Sequence, residues 1–210
     1  KTTQNADGLI GRCPKQTQSY VLDISQTEQH AHLLQHTVEQ LGMIDIALIA
    51  HGTLPDQAAC EADAAYALRE FTNNGLSVIA LLTQLANQFA AQKQGTIAVI
   101  SSVAGDRGRP SNYLYGSAKA AVNAFCEGLR ARLYQSGVHV LTIKPGFVDT
   151  PMTQGLDLPQ RLVTTPEKVA QNIVNAIQKK RNVIYTPWFW WVIMTIIRAI
   201  PTAIFKELKL

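Results

Sequence analysis

Tyr115 and Lys119 stand four residues apart, a spacing that places both side chains on one face of a helix. Thirteen residues before Tyr115 comes Ser102, the second of two serines that end an apolar run and are soon followed by Gly105. An isolated phenol titrates near ~10 and exchanges protons poorly at neutral pH. A cation held beside it favours the phenolate and lowers that value. A phenol tuned in this way moves a proton to or from a reacting oxygen, and a serine hydroxyl within reach hydrogen-bonds the same oxygen. A tyrosine on a helix surface with a lysine nearby would do nothing of the kind; the double serine at a fixed distance separates the two readings.

Three residue types need three elements to position them. Gly95–Ser101 is apolar almost throughout and reads as a buried strand that delivers the serines at its end. Residues 113–136 read as the helix carrying Tyr115 and Lys119. The remaining chain alternates in the same way, with strands at 19–22, 45–50, 138–144 and 183–186. Helices are expected at 27–41, 58–68 and 71–93, and at about 166–180, where Thr165 and Pro166 form an N-terminal cap. Strands that alternate with helices and are apolar on both faces imply a parallel sheet covered on both sides.

These segments, in this order, resemble the short-chain dehydrogenases/reductases over most of the chain, from about Tyr20 to Thr186. The resemblance rests on Val21-Leu22-Asp23-Ile24-Ser25, Ala50-His51-Gly52, Asn74, Ile100-Ser101-Ser102-Val103-Ala104-Gly105, Tyr115 with Lys119, and Lys144-Pro145-Gly146-Phe147-Val148-Asp149-Thr150. It implies a Rossmann-like doubly wound α/β fold, a seven-stranded parallel sheet in the order 3-2-1-4-5-6-7, and interconversion of a ketone and a secondary alcohol with NAD or NADP. It also implies roles. Tyr115 would be the acid/base, Ser102 the donor to the substrate oxygen, and Lys119 the partner of both Tyr115 and the nicotinamide ribose. Asn74, in preference to Asn73, would hold a water behind Lys119. Asp23 and Ile24 would lie at the adenine, Ala50, His51 and Gly52 along the cofactor, and Pro145, Gly146, Val148 and Thr150 at the nicotinamide end. His51 is expected to serve packing, and Gln154–Leu162 falls where such enzymes carry a mobile lid. The wording of residues 50–57 and 102–109 resembles the subgroup that reduces decaprenylphosphoryl 2-keto-pentoses, which implies a lipid-linked keto-sugar. Family members commonly pair through the helices here at 71–93 and 113–136, so a homo-oligomer is expected.

Counted backwards, 19–22 matches the third strand. Strands one and two, and the glycine-rich turn between them, have no counterpart; Gly8 and Gly11 follow no apolar strand. The chain is therefore expected to be a piece of a longer protein and to bind nucleotide poorly alone. NAD and NADP are not distinguished, because that choice sits at the end of strand two. A rival reading from another class is a catalytically silent scaffold.

Composition narrows the field. The chain has 210 residues, 47% hydrophobic and 16% charged, with a net charge of +4, enough for one domain with a substantial core. The charge is too mild, and its basic residues too scattered, for a nucleic-acid partner. Cys13, Cys60 and Cys126 have neither disulfide nor metal spacing, and read as reduced thiols of a cytoplasmic protein. Residues 1–187 form the expected oxidoreductase domain and 188–210 an apolar C-terminal segment. Within that segment Trp188, Trp190 and Trp191 precede Ile193, Ile196, Ile197 and Ile200, flanked by Arg198 and Lys206. The run is too short to span a bilayer but suits contact with the inner face of a membrane through 188–206. Its rival is a helix packed over the active site or in a dimer interface.

Overall fold

The computed structural model describes residues 18–208. Among these, four parallel strands form the main sheet: β1 (Ile46–Ile49), β2 (Thr96–Ile100), β3 (His139–Pro145) and β6 (Val183–Thr186), in the spatial order β1-β2-β3-β6. The register pairs Ile46 with Thr96, Thr96 with His139 and Thr142 with Val183. Two further short strands, β4 (Phe147–Val148) and β5 (Val163–Thr164), pair with each other and pin the two ends of the segment between them.

Alternation along the strands sends side chains into two cores. One face brings Ile49, Ile97, Val99 and Val140 against α1 (His30–Leu41), α4 (Ser77–Gln92) and α5 (Tyr113–Tyr134). The other brings Ala98, Leu141 and Ile143 against Val169, Ile173 and Ala176 of α6 (Pro166–Gln178). The expected doubly wound sheet is therefore present, with helices on both faces. Helix α6 starts as anticipated: Thr165 accepts from the Lys168 N–H, and Pro166 takes the first turn, where its missing N–H costs nothing.

Three local expectations are corrected. The helix expected over 58–68 is interrupted. Asp63 leaves the helical region and caps a new helix, dividing the stretch into α2 (Gln57–Ala62) and α3 (Ala64–Phe71). Helix α3 then passes through a π-helical turn at Thr72–Leu76 into α4, and that extra residue turns Asn74 inward. Finally, 19–22 forms no strand. Residues 18–23 run without a ladder partner, and an extended segment with no neighbour lacks the hydrogen bonds that define a strand.

The C-terminal segment packs on the domain. Helix α7 (Phe189–Ala199) turns Trp190 and Met194 inward onto Val103, with Phe147, Leu162, Tyr185, Ile193 and Ile197 around them. Its outer face leaves Trp188, Trp191, Val192 and Ile196 exposed, and α8 (Thr202–Phe205) follows. No helix among the described residues is long and apolar enough to cross a membrane. Cys60 and Cys126 are free and buried; Cys13, Gly8, Gly11 and Lys209 lie outside the described residues.

Candidate active site

The strand-end serines meet α5 because glycine lets them. A Cβ on Gly105 would stand 2.7 Å from the Lys119 carbonyl carbon and 2.8 Å from the Ala120 nitrogen, so the turn 103–106 lies directly on the helix backbone. Ser101, fully inside, bonds its N–H to the Ile143 carbonyl (2.8 Å) and its hydroxyl to the Lys119 carbonyl (3.3 Å), tying β2, β3 and α5 together. Ser101 is thus spent on structure. Ser102 caps the turn by accepting from Ala104 N–H (3.1 Å), and its hydroxyl lies near enough to the Tyr115 phenol to draw that group's pKa partly back down.

Lys119 lies one helical turn below Tyr115, its ammonium 5.6 Å from the ring centroid. It is 3% exposed, and it donates a long hydrogen bond to the Ile100 carbonyl (3.4 Å). Burial pulls its pKa down to about 8, since a low-dielectric setting disfavours the charged form. For Tyr115 burial also decides. It raises the phenol, Ser102 pulls it back in part, and the net shift is upward. This corrects the expectation that Lys119 would set the phenol below its ordinary value. In this structure burial sets the direction for Tyr115, with the Lys119 ammonium 5.6 Å from the ring centroid, and the phenol holds its proton at neutral pH.

Asn74 arrives from the opposite side. It is fully buried on the π turn, with its amide oxygen accepting from Thr53 N–H (2.9 Å) and its amide nitrogen donating to Thr53 Oγ1 (2.9 Å) and the Glu70 carbonyl (3.0 Å). Gly52 separates it from Lys119: a Cβ there would lie 3.0 Å from Asn74 Oδ1 and 3.4 Å from Lys119 Nζ. The structure thus brings Asn74, Gly52, Lys119, Tyr115 and Ser102 into one cluster. Asn73 instead contributes only its carbonyl, to the Ser77 hydroxyl (2.8 Å). That hydroxyl also meets His51 Nε2 at 3.0 Å. Burial first, then Lys119 and His30, bring His51 down to about 4, so the ring is neutral at physiological pH.

The other expected cofactor residues divide. Ala50 follows β1 directly. Pro145, Gly146 and Val148 lie where β3 turns into β4. Thr150 is held locally, its N–H donating to Thr153 Oγ1 (3.2 Å) and its hydroxyl to the Val148 carbonyl (3.4 Å). Thr153, which spacing did not reveal, also donates to Val148 O at 2.6 Å and so secures the start of the loop through 154–162. Gly146 has a second reason to be glycine: a Cβ there would overlap the indole of Trp190. At the adenine end nothing comparable is assembled among the described residues. Asp23 is exposed and turned onto Ser25 N–H (3.0 Å) and hydroxyl (2.7 Å), and the Ile24 carbonyl meets His30 Nε2 (2.9 Å).

Sequence reasoning missed a buried network beside the Pro145–Gly146 turn. Lys144 Nζ donates to Asp106 (2.6 Å), and the Tyr185 hydroxyl donates to the other oxygen of Asp106 (2.7 Å). The only signal was a lysine in an otherwise apolar strand.

The chain has relatives elsewhere. Residues 2–161 match the family described as short chain dehydrogenase. An uncharacterized oxidoreductase of Mycobacterium tuberculosis is 36% identical over 186 residues, spanning 89% of this chain and 74% of the relative. Another, from Streptomyces coelicolor, is 30% identical over 205 residues, covering 98% of this chain and 80% of the relative, so the likeness continues through α7. A solved short chain dehydrogenase from Burkholderia cenocepacia, in complex with NADP, superposes with a TM-score of 0.77 at 21% identity, over 90% of this chain and 80% of its own. A family match that runs through the serine turn and the Tyr115–Lys119 helix, with relatives that extend to the C-terminus, establishes that this chain belongs to the short chain dehydrogenase family.

Proposed function

We propose that the protein is an NAD(P)(H)-dependent oxidoreductase that interconverts a ketone and a secondary alcohol. The observation that carries this reading is the buried Lys119 amine, 5.6 Å from the Tyr115 ring centroid, with the Ser102 turn against the same helix and Asn74 and Gly52 beside the amine. The residues present suit the nicotinamide and ribose end of a dinucleotide: Gly52 keeps bare backbone close to Lys119, whose buried amine makes only one long hydrogen bond among the described residues, to the Ile100 carbonyl (3.4 Å). The nicotinamide, when bound, supplies or accepts hydride at the reacting carbon. Ser102 hydrogen-bonds the substrate oxygen. In reduction Tyr115, protonated at neutral pH, gives its proton to that oxygen as hydride reaches carbon; in oxidation it takes the proton back. Lys119 binds the ribose and stabilises the phenolate left behind. Asn74 orients a water that returns a proton to the site.

A lipophilic or lipid-linked substrate, such as a polyprenylphosphoryl keto-sugar, is the class we infer. It is supported by the apolar wall that Trp190, Leu162 and Phe147 form beside the turn, and by the outer face of α7, where Trp188 is 74% and Trp191 58% exposed. Indole rings with flanking basic side chains suit the interface of an anionic bilayer, and Lys206 follows on α8's end. The reading also includes a homo-oligomer through α4 and α5, supported by the exposed Leu76 and Tyr134 beside them.

The test is oxidation of NADH and of NADPH against a panel of ketones of graded lipophilicity, with the product identified. Conversion of a ketone to its alcohol, faster with apolar members, supports the reading. Nucleotide binding with no turnover of any ketone would favour a silent scaffold.

A further inference from the structure

Asp106 closes the short turn that Ser102 caps, and it is the hub of a buried set of contacts. One carboxylate oxygen takes Lys144 Nζ at 2.6 Å and the other takes the Tyr185 hydroxyl at 2.7 Å, with the Lys144 and Asp106 side chains only 10% and 3% exposed. Burial and the Asp106 carboxylate push the Tyr185 phenol well above its ordinary range, so it remains a donor. Two charges withdrawn from water gain little net stability. They do impose a strict geometry, because removing either partner strands the other. What the geometry joins is specific. Asp106 is four residues from Ser102, Lys144 directly precedes Pro145-Gly146, and Tyr185 is the penultimate residue of β6, shortly before α7.

The adjacent Arg107 reaches the other way. Its Nη1 donates to the carbonyls of Ile197 (2.5 Å), Arg198 (3.2 Å) and Ile200 (2.6 Å), at the end of α7 where helical donors run out. Its guanidinium carbon stands 3.7 Å from the centroid of the Phe205 ring on α8. Arg107 therefore seats the helix whose Trp190 fills the space above Gly146.

We propose that Asp106 and Arg107 form a latch. It sets the Ser102 hydroxyl against the Pro145–Gly146 turn and holds the C-terminal helix as a wall of the substrate pocket. Both are positioning residues that act through Ser102, Gly146 and Trp190 without touching the reacting atoms. The catalytic part of this inference rests on the ketone-reductase reading; the structural part does not.

The experiment uses Asp106→Asn, the double variant Asp106→Asn/Lys144→Met, and Arg107→Met. Asp106→Asn leaves Lys144 buried without its charge partner and is expected to lower the thermal midpoint. The double variant removes the stranded charge and is expected to regain the midpoint, yet to keep kcat about tenfold or more below wild type, since sub-ångström misplacement reaches the chemistry. Its KM for cofactor should change less than about threefold. A merely structural role would return kcat together with the midpoint, and a folded double variant within about threefold of wild-type kcat overturns the positioning claim. Arg107→Met is read by hydrogen exchange in the absence of substrate: amides of 189–199 should lose protection while those of α5 keep it. Unchanged protection in α7 overturns the latch. Because that readout needs no turnover, it decides the latch even if Tyr115→Phe proves fully active and the ketone-reductase reading falls.

Discussion

Two regions beside the β1 and β2 strand ends are built differently. Around the serine turn, Ser101, Asn74 and Lys119 are buried, and glycine-permitted contacts hold the turn on α5. Around residues 18–25, the Asp23 carboxylate bonds only to Ser25, two residues on. Ile46 and Leu48 of β1 are about half exposed, on the sheet face that α6 covers farther along. The first region is fixed by side chains close in space that fill one another's gaps. The second depends on strand pairing, and among the described residues β1 has a neighbour on one side only. A site can therefore be complete in its chemistry where packing is dense while the surface beside it remains open.

Substitutions should expose that contrast. The largest effect is expected at Lys119→Met, which removes one amine that serves both Tyr115 and the ribose: turnover should fall by roughly 100-fold or more, with weaker cofactor binding. The same change should raise the thermal midpoint, because burial already penalises the charged amine at neutral pH. Steady-state kinetics beside a thermal melt checks both signs; a variant that keeps kcat and loses only cofactor affinity would reduce Lys119 to a binding group.

Gly105→Ala comes next. Its Cβ would press on the α5 backbone, which does not yield like a side-chain tip, so a loss of about 1–3 kcal/mol in denaturant unfolding is expected. Stability within a few tenths of a kcal/mol of wild type would show that the turn has room it does not display.

The third effect is a pH dependence. His51 titrates at about 4 in the folded protein against 6.5 for the free group, so between these values the unfolded chain binds more protons. Stability contributed by neutral His51 is present above about pH 6.5 and is lost as the pH falls toward 4. His51→Gln should flatten that limb of the unfolding profile; an identical slope in the variant would place the titration elsewhere.

The smallest change is expected at the open end. Ile46→Thr or Leu48→Thr should shift the stability of this chain by no more than about 0.5 kcal/mol, since both side chains already stand largely in water. A loss of several kcal/mol would mean that this face is covered in solution.

Legibility in the sequence follows the same division. Tyr115, Lys119 and Ser102 were readable because helical spacing and a strand end place them locally, and Asn74 because resemblance singled it out from Asn73. The π turn that faces Asn74 inward has no periodicity to read. The strand at 19–22 was expected from its residues alone, but a strand exists only with a partner. The Asp106–Lys144–Tyr185 network joins residues 38 and 79 positions apart, and Arg107 meets carbonyls some 90 positions on. No local pattern encodes such contacts. Trp190 over Gly146 was hidden for the same reason, so a glycine read as making room for cofactor also makes room for an indole. The direction of the Tyr115 shift depended on burial, which spacing does not report.

The most direct test of the central claim is single-turnover reduction by Tyr115→Phe, followed by nucleotide absorbance, with cofactor binding measured on the same sample. Removing one phenolic oxygen should slow the hydride step by roughly 100- to 10,000-fold and leave cofactor affinity nearly unchanged. A variant that reduces ketone within about threefold of the wild-type rate would remove Tyr115 from the mechanism, and with it the account of this site as a ketone reductase.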